Sequence, residues 1–137
     1  MRNHRVSAIA VFALVVVFSM LPGAVSAHHS RAGVYEPNGK NITMKGVVTE
    51  WRWRYPHVFL VWNAKDDKGT VVAWTGELSS VTSMQSEGLD RNTFKAGQEV
   101  TLTVSPARSG APQSQLLKVV MADGKAPIDR LGQNIPD

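Results

Sequence analysis

After residue 40, apolar and polar side chains alternate with the two-residue period of strands that bury one face. Between Asn41 and Arg54, Val47, Thr49, Trp51 and Trp53 are expected on one face, with Val48, Glu50, Arg52 and Arg54 on the other. Tyr55-Pro56 interrupts this run, because proline removes a ladder donor and belongs at a turn or a strand's first residue. His57 to Ala64 carries Val, Phe, Leu and Trp and predicts a second strand. Lys65-Asp66-Asp67-Lys68-Gly69 has the chemistry of a hairpin loop, with Gly69 free to take positive φ. Thr70 to Gly76 is the returning third strand.

The period then changes. Ser79 or Ser80 can cap a short helix by accepting a hydrogen bond from an orphan amide, and Val81 and Met84 form its apolar stripe. Gly88 followed by Leu89 fits a left-handed helix stop with an apolar residue behind it. Val100, Leu102 and Val104 alternate with Thr101, Thr103 and Ser105, the clearest strand in the chain. Pro106 to Ser114 is a loop of Gly, Pro and Ser, and Gln115 to Met121 is the last strand. Asp123-Gly124 is a turn, and residues 125–137 are expected to form a flexible tail. The fold class is mainly β. Three strands, one helix and two strands is the element order of a five-stranded OB-like barrel with its helix between strands 3 and 4; a split sandwich is the competing architecture.

Residues 1–27 lie outside that plan. Arg2 and Arg5 precede an apolar run from Ala8 to Leu21, Pro22-Gly23 breaks it, and Val25-Ser26-Ala27 supplies small residues at a signal-peptidase site. This pattern predicts an export signal rather than an anchor, which needs about 20 uninterrupted apolar residues. The product is expected to be periplasmic or secreted, with no membrane span after cleavage. Cleavage after Ala27 leaves 110 of the 137 residues, one domain over 28–124 with an extended N-terminal arm. The discarded segment holds two arginines and no acid, so 15 basic residues become 13 against 11 acidic ones and the formal charge falls from +4 to +2. That balance gives no footprint for nucleic acid. The absence of cysteine excludes disulfides and a lipid-modified cysteine.

Five short motifs stand in order along the chain: His28-His29-Ser30, Gly46-Val47-Val48, Tyr55-Pro56-His57-Val58, Lys95-Ala96-Gly97-Gln98-Glu99-Val100 and Asp123-Gly124-Lys125. In this order the chain resembles an uncharacterised bacterial family of small exported proteins, a domain of unknown function whose mature members start with His-His-Ser. That family usually has Asn where this chain has Tyr55, so any role of the Asn is lost or altered here. In size, export and element order the chain is also similar to the periplasmic bacterial OB-fold stress proteins, a likeness of fold that carries no function. The resemblance implies no activity.

Chemistry is concentrated in the histidines. Cleavage after Ala27 would give His28 both a free amine and an imidazole, two nitrogens able to chelate one ion. His29 or His57 could complete a nitrogen set of the tetragonal kind that favours Cu(II). Such binding would weaken below about pH 6, as amine and imidazole take up protons. The plain alternative for the His28-His29 pair is a solvated terminus, and for His57 a ring that pins its turn to a carbonyl. Glu36, Glu50 and Glu77 are candidate acids, but no spacing pairs two carboxylates, and no nucleophile elbow, zinc-protease helix or phosphate loop is present. Four tryptophans, Trp51, Trp53, Trp62 and Trp74, could fill a small core or offer faces to a flat ligand. Barrels of this class bind at their mouths. Trp53, Arg54, Tyr55 and His57, with the 106–114 loop, are therefore the expected ligand site, for a small molecule or an envelope protein. An enzyme is the reading with least support.

Overall fold

The computed structural model describes residues 31–36 and 40–131. The predicted export signal lies outside these residues, as do His28 and His29. Within them, six strands and two short helices follow one another: α1 (Arg31–Val34), β1 (Ile42–Arg52), β2 (Phe59–Lys65), β3 (Val71–Glu77), α2 (Val81–Ser86), β4 (Glu99–Pro106), β5 (Gln113–Met121) and β6 (Ile128–Asp129). No helix among the described residues is long and apolar enough to cross a membrane.

The strands close into a barrel. β1 pairs antiparallel with both β2 and β4, β2 with β3, and β4 with β5. The ring is completed by a parallel contact between β3 and β5, with Thr75, Gly76 and Glu77 opposite Gln113, Ser114 and Gln115. This is the expected five-stranded barrel, with α2 between β3 and β4. Closure gives the five strands of the ring a partner on each side, which removes most of the exposed edge.

Local chemistry explains the turns. The Asp66 carboxylate accepts the amides of Lys68 and Thr70 at 2.9 and 2.8 Å, and Gly69 takes φ 81°, closing the β2–β3 hairpin. Ser80 caps α2, its hydroxyl accepting from the Ser83 amide at 3.2 Å. At the other end Gly88 has φ 82°, its amide bonds the Gln85 carbonyl, and the Leu89 amide reaches the Met84 carbonyl at 3.0 Å. That pair of bonds is a Schellman stop, and it turns Leu89 into the core, where Phe94 joins it.

One expected face is reversed. Val48 is 1% exposed and Val47 is 41% exposed, although Val47 was expected to share the face of Trp51 and Trp53. The pairing of β1 with β2 shifts register between Val48 and Glu50, so Thr49 is an extra residue in the ladder. A bulge of this kind switches the side that later residues address. Gly46 and Val48 point inward before it, and Trp51 packs on the core after it.

Trp62 lies at the centre of the barrel, fully buried, with Trp74 stacked on it at 6.2 Å between ring centroids. Trp51 and Trp53 are half-buried and pack against the same core. The tryptophans are thus core material first. The stretch expected to be a flexible tail is ordered structure as far as Leu131: β6 pairs with β5, and Ile128 is 1% exposed. Arg130 is buried and clasps Glu87 beyond the end of α2 through Nη2, at 2.5 Å from Oε1.

Candidate functional site

The hairpin register places Phe59 opposite Glu77. Beyond it the ladder continues, with the Val58 amide on the Ser79 carbonyl and the Leu78 amide on the Val58 carbonyl. Val58 and Leu78 are buried, so His57 and Glu77 fall on the other face as diagonal neighbours. The His57 Nδ1 lies 2.5 Å from Glu77 Oε1. The second carboxylate oxygen is also engaged, since the Tyr35 hydroxyl donates to Oε2 at 2.5 Å. Glu77 therefore joins two donors, at the seam where β3 meets both β2 and β5.

Tyr35 reaches this seam because the N-terminal arm is fastened to the end of β4. Tyr35 forms a bridge with Ala107, and the Glu36 amide bonds the Pro106 carbonyl at 2.9 Å. The Ser105 hydroxyl donates to the Glu36 carbonyl, the Arg108 amide to the Val34 carbonyl and Arg108 Nε to the Tyr35 carbonyl. The segment expected to be a ligand-binding loop, 106–114, is shorter than expected, as β5 already begins at Gln113. What remains of it holds the arm.

The His57 side chain is 39% exposed and that of Glu77 is 19% exposed. Among the described residues Nε2 of His57 has no hydrogen-bond partner; the ring's bond is the one to Glu77. An ionised carboxylate can only accept, so Nδ1 is the donor, and in the neutral ring Nε2 then keeps its lone pair. That nitrogen can accept a hydrogen bond, take a proton or bind a metal ion.

The other expected site residues are dispersed around this centre. Tyr55 is 69% exposed, with its hydroxyl 3.3 Å from that of Thr82 on α2. Arg54 is exposed. Trp53 leans on Trp51, ring centroids 5.5 Å apart, and serves the core with one face. Arg52 bonds Glu50 at 2.5 and 2.9 Å, and this bond holds the Glu50 carboxyl below its usual range. No group of three or more His, Asp or Glu side chains that could hold a metal ion occurs among the described residues. Of the expected metal ligands, His57 is described, and His28 and His29 lie outside.

In the sequence His57 and Glu77 stand out separately as candidate groups, and Tyr35 carries no local signal of its role. The pairing was within reach, since the short 66–70 loop sets Phe59 opposite Glu77. A groove of about 810 Å3, which no sequence motif marks, lies at the hairpin end of β2 and β3, remote from His57, lined by Met44, Val71, Val100 and Met121 among others.

A protein family described as one of unknown function matches residues 16–115, a span that includes Tyr35, His57 and Glu77. No curated protein and no solved structure matches the chain.

Proposed function

The chain belongs to that family, DUF6152, and on the strength of its site we propose that it is a small exported binding module whose recognition group is the His57 imidazole. One observation carries this reading: a ring 39% exposed is braced at Nδ1 by Glu77, while Nε2 has no partner among the described residues. Bracing fixes direction, and a directed lone pair is a recognition element rather than packing. Tyr55 and Arg54, both exposed, flank it on the chain and supply an aromatic face and a cation for a small molecule or an envelope protein. Export to the periplasm or beyond follows from residues 1–27 and is part of the proposal.

The test is NMR of the isotopically labelled mature protein mixed with the small-molecule fraction of an envelope extract. Shifts are expected at residues 54–57 and 77 and should vanish in His57→Ala, while Tyr55→Ala weakens them. Shifts confined to the Met44 and Met121 end would move the site to the groove and overturn the assignment.

A second reading, a copper-binding protein using His28 with His29 and His57, is favoured by the arm. Tyr35, seven residues after His28, is tied to the carboxylate that braces His57. Seven residues of chain span at most about 25 Å, so a mature terminus at His28 is tethered within that distance of Tyr35. Its amine and imidazole would supply two nitrogens and His57 a third, a set suited to Cu(II). Mass spectrometry of the secreted protein gives the first residue, and Cu(II) titration before and after acetylation of the amine tests the chelate. Equal affinity before and after would remove the chemical basis of this reading.

A further inference from the structure

We infer that the edge of β3 from Val71 to Trp74 is a strand-addition site. Its occupant is an extended segment of a partner protein, with two apolar residues at alternate positions and an acidic residue beside them. The site is separate from His57 and does not depend on that reading. β3 pairs with β2 from Val71 to Glu77, but with β5 only from Thr75 onward. The Asp66 amide bonds the Thr70 carbonyl across the hairpin at 2.9 Å, and the Thr75 amide bonds the Pro112 carbonyl on the other side at 3.1 Å. Backbone groups alternate in direction along a strand, so even-numbered residues of β3 address β2 and odd-numbered ones the opposite side. The amides and carbonyls of Val71 and Ala73 therefore point out from the sheet edge, where no backbone group among the described residues meets them.

The side chains show the same break in the wall. Gly76 faces inward beside β5 and is buried. Val72 and Trp74 face inward on the same strand and stay half-exposed, although their partners across the ladder, Ala64 and Trp62, are 5% and 0% exposed. Natural sheet edges are usually blunted by charge, proline or a bulge, and Val71-Val72-Ala73-Trp74 has none of these. An added strand would extend the β3–β5 seam along its own lane, for four residues or about 13 Å. Main-chain bonds to Val71 and Ala73 would supply affinity, and alternate side chains specificity. The two inward side chains would cover Val72 and Trp74, which makes them apolar. On the outer face Lys65 stands directly opposite Val71. It is exposed and takes part in none of the ion pairs among the described residues. A residue added beside Val71 meets that cation across one short side chain, which makes it acidic. Asp67 and Glu99 line the adjoining groove with Lys45, in the hairpin loop and on β4, off this rung of the ladder. A second copy fits the edge less well. Pairing Val71 with Ala73 of the copy sets its Thr75 against Gly69, and the Thr75 amide is already committed to Pro112.

The probe is the blocked peptide Ser-Glu-Val-Thr-Val-Glu-Ser, which offers the pattern in either chain direction, beside a counterpart with Lys in place of each Glu. Each is titrated to millimolar concentration into the isotopically labelled mature protein. The Glu peptide is expected to shift the Val71 and Ala73 amides, to slow their hydrogen exchange and to bind tighter than the Lys peptide. Ala73→Pro removes an outward amide without removing a ladder bond, and should abolish the response while thermal unfolding shows the protein folded. Lys65→Glu, a change at an exposed position, should weaken the Glu peptide about two- to fivefold and favour the Lys peptide. No response to either peptide, or an equal response in Ala73→Pro, overturns the strand-addition site. Equal affinity for the two peptides, or no effect of Lys65→Glu, overturns the acidic residue. Protection of both amides in the free protein at every concentration would mean that the chain covers its own edge. Protection that grows with concentration, with a dimer mass in sedimentation, would make a second copy the occupant. Either result overturns the partner segment.

Discussion

A methyl carbon placed on Gly76 would stand 2.8 Å from Cζ3 of the Trp62 ring. On the opposite side, a methyl on Gly46 would stand 2.5 Å from Cδ1 of the same ring. The indole occupies the space that two side chains would otherwise take, and it spans the barrel between β1 and β3. Overpacking a filled core costs about 1–3 kcal/mol. Gly46→Ala and Gly76→Ala are each expected to lose about that much in urea unfolding followed by tryptophan fluorescence. Variants as stable as the wild type would mean that the ring is not confined.

The bulge at Thr49 has its own test. Val48 is 1% exposed and Val47 is 41% exposed. Val48→Ala should destabilise by about 2 kcal/mol, the scale of a buried aliphatic side chain. Val47→Ala should stay within about 0.5 kcal/mol, as exposed substitutions do. The reverse ranking, measured by denaturant midpoints, would restore the unbulged register.

Ile128 distinguishes an ordered C-terminal strand from a loose tail. With 1% exposure it should behave as a core residue, so Ile128→Ala should cost about 2–5 kcal/mol. Ending the chain after Lys125 should cost at least as much, because it also removes the Arg130–Glu87 clasp. Unchanged thermal unfolding of the shortened chain would contradict the packing of β6.

Acid should loosen that strand. The hydrogen bond from Lys118, 2.6 Å away, holds the Asp129 carboxyl below its usual range. A carboxyl depressed in the folded state contributes stability above its unfolded pKa, about 3.9, and loses it as pH falls through the lower folded value. Exchange of the Arg130 amide, bonded to the Leu117 carbonyl at 2.8 Å, should accelerate over that acidic range once corrected for its intrinsic pH dependence. Asp129→Asn should flatten the response. Identical profiles in the two proteins would rule out the ion pair as the cause.

Much of the fold was legible because its signals are local. The Ser80 cap, the Gly88-Leu89 stop, the Asp66–Gly69 turn and the inward Val100, Leu102 and Val104 each depend on neighbours a few residues away. Part of the site shares this property: a short hairpin loop fixes which residue of β3 faces which residue of β2, so His57 beside Glu77 follows from register. Other features left no local trace. The extra residue at Thr49 is chemically indistinguishable from a regular strand position, and only the ladder to β2 reveals it.

The sequence by itself determined that this is a small β-barrel with one intervening helix and a histidine at a strand entrance, because period and turn chemistry are properties of short stretches. Tertiary structure alone decided that Tyr35 would hold Glu77 against His57 and that Ile128 would complete the core. Those contacts join segments separated by tens of residues, and only closure of the barrel brings such segments within the few ångströms over which a hydrogen bond or a packed side chain acts.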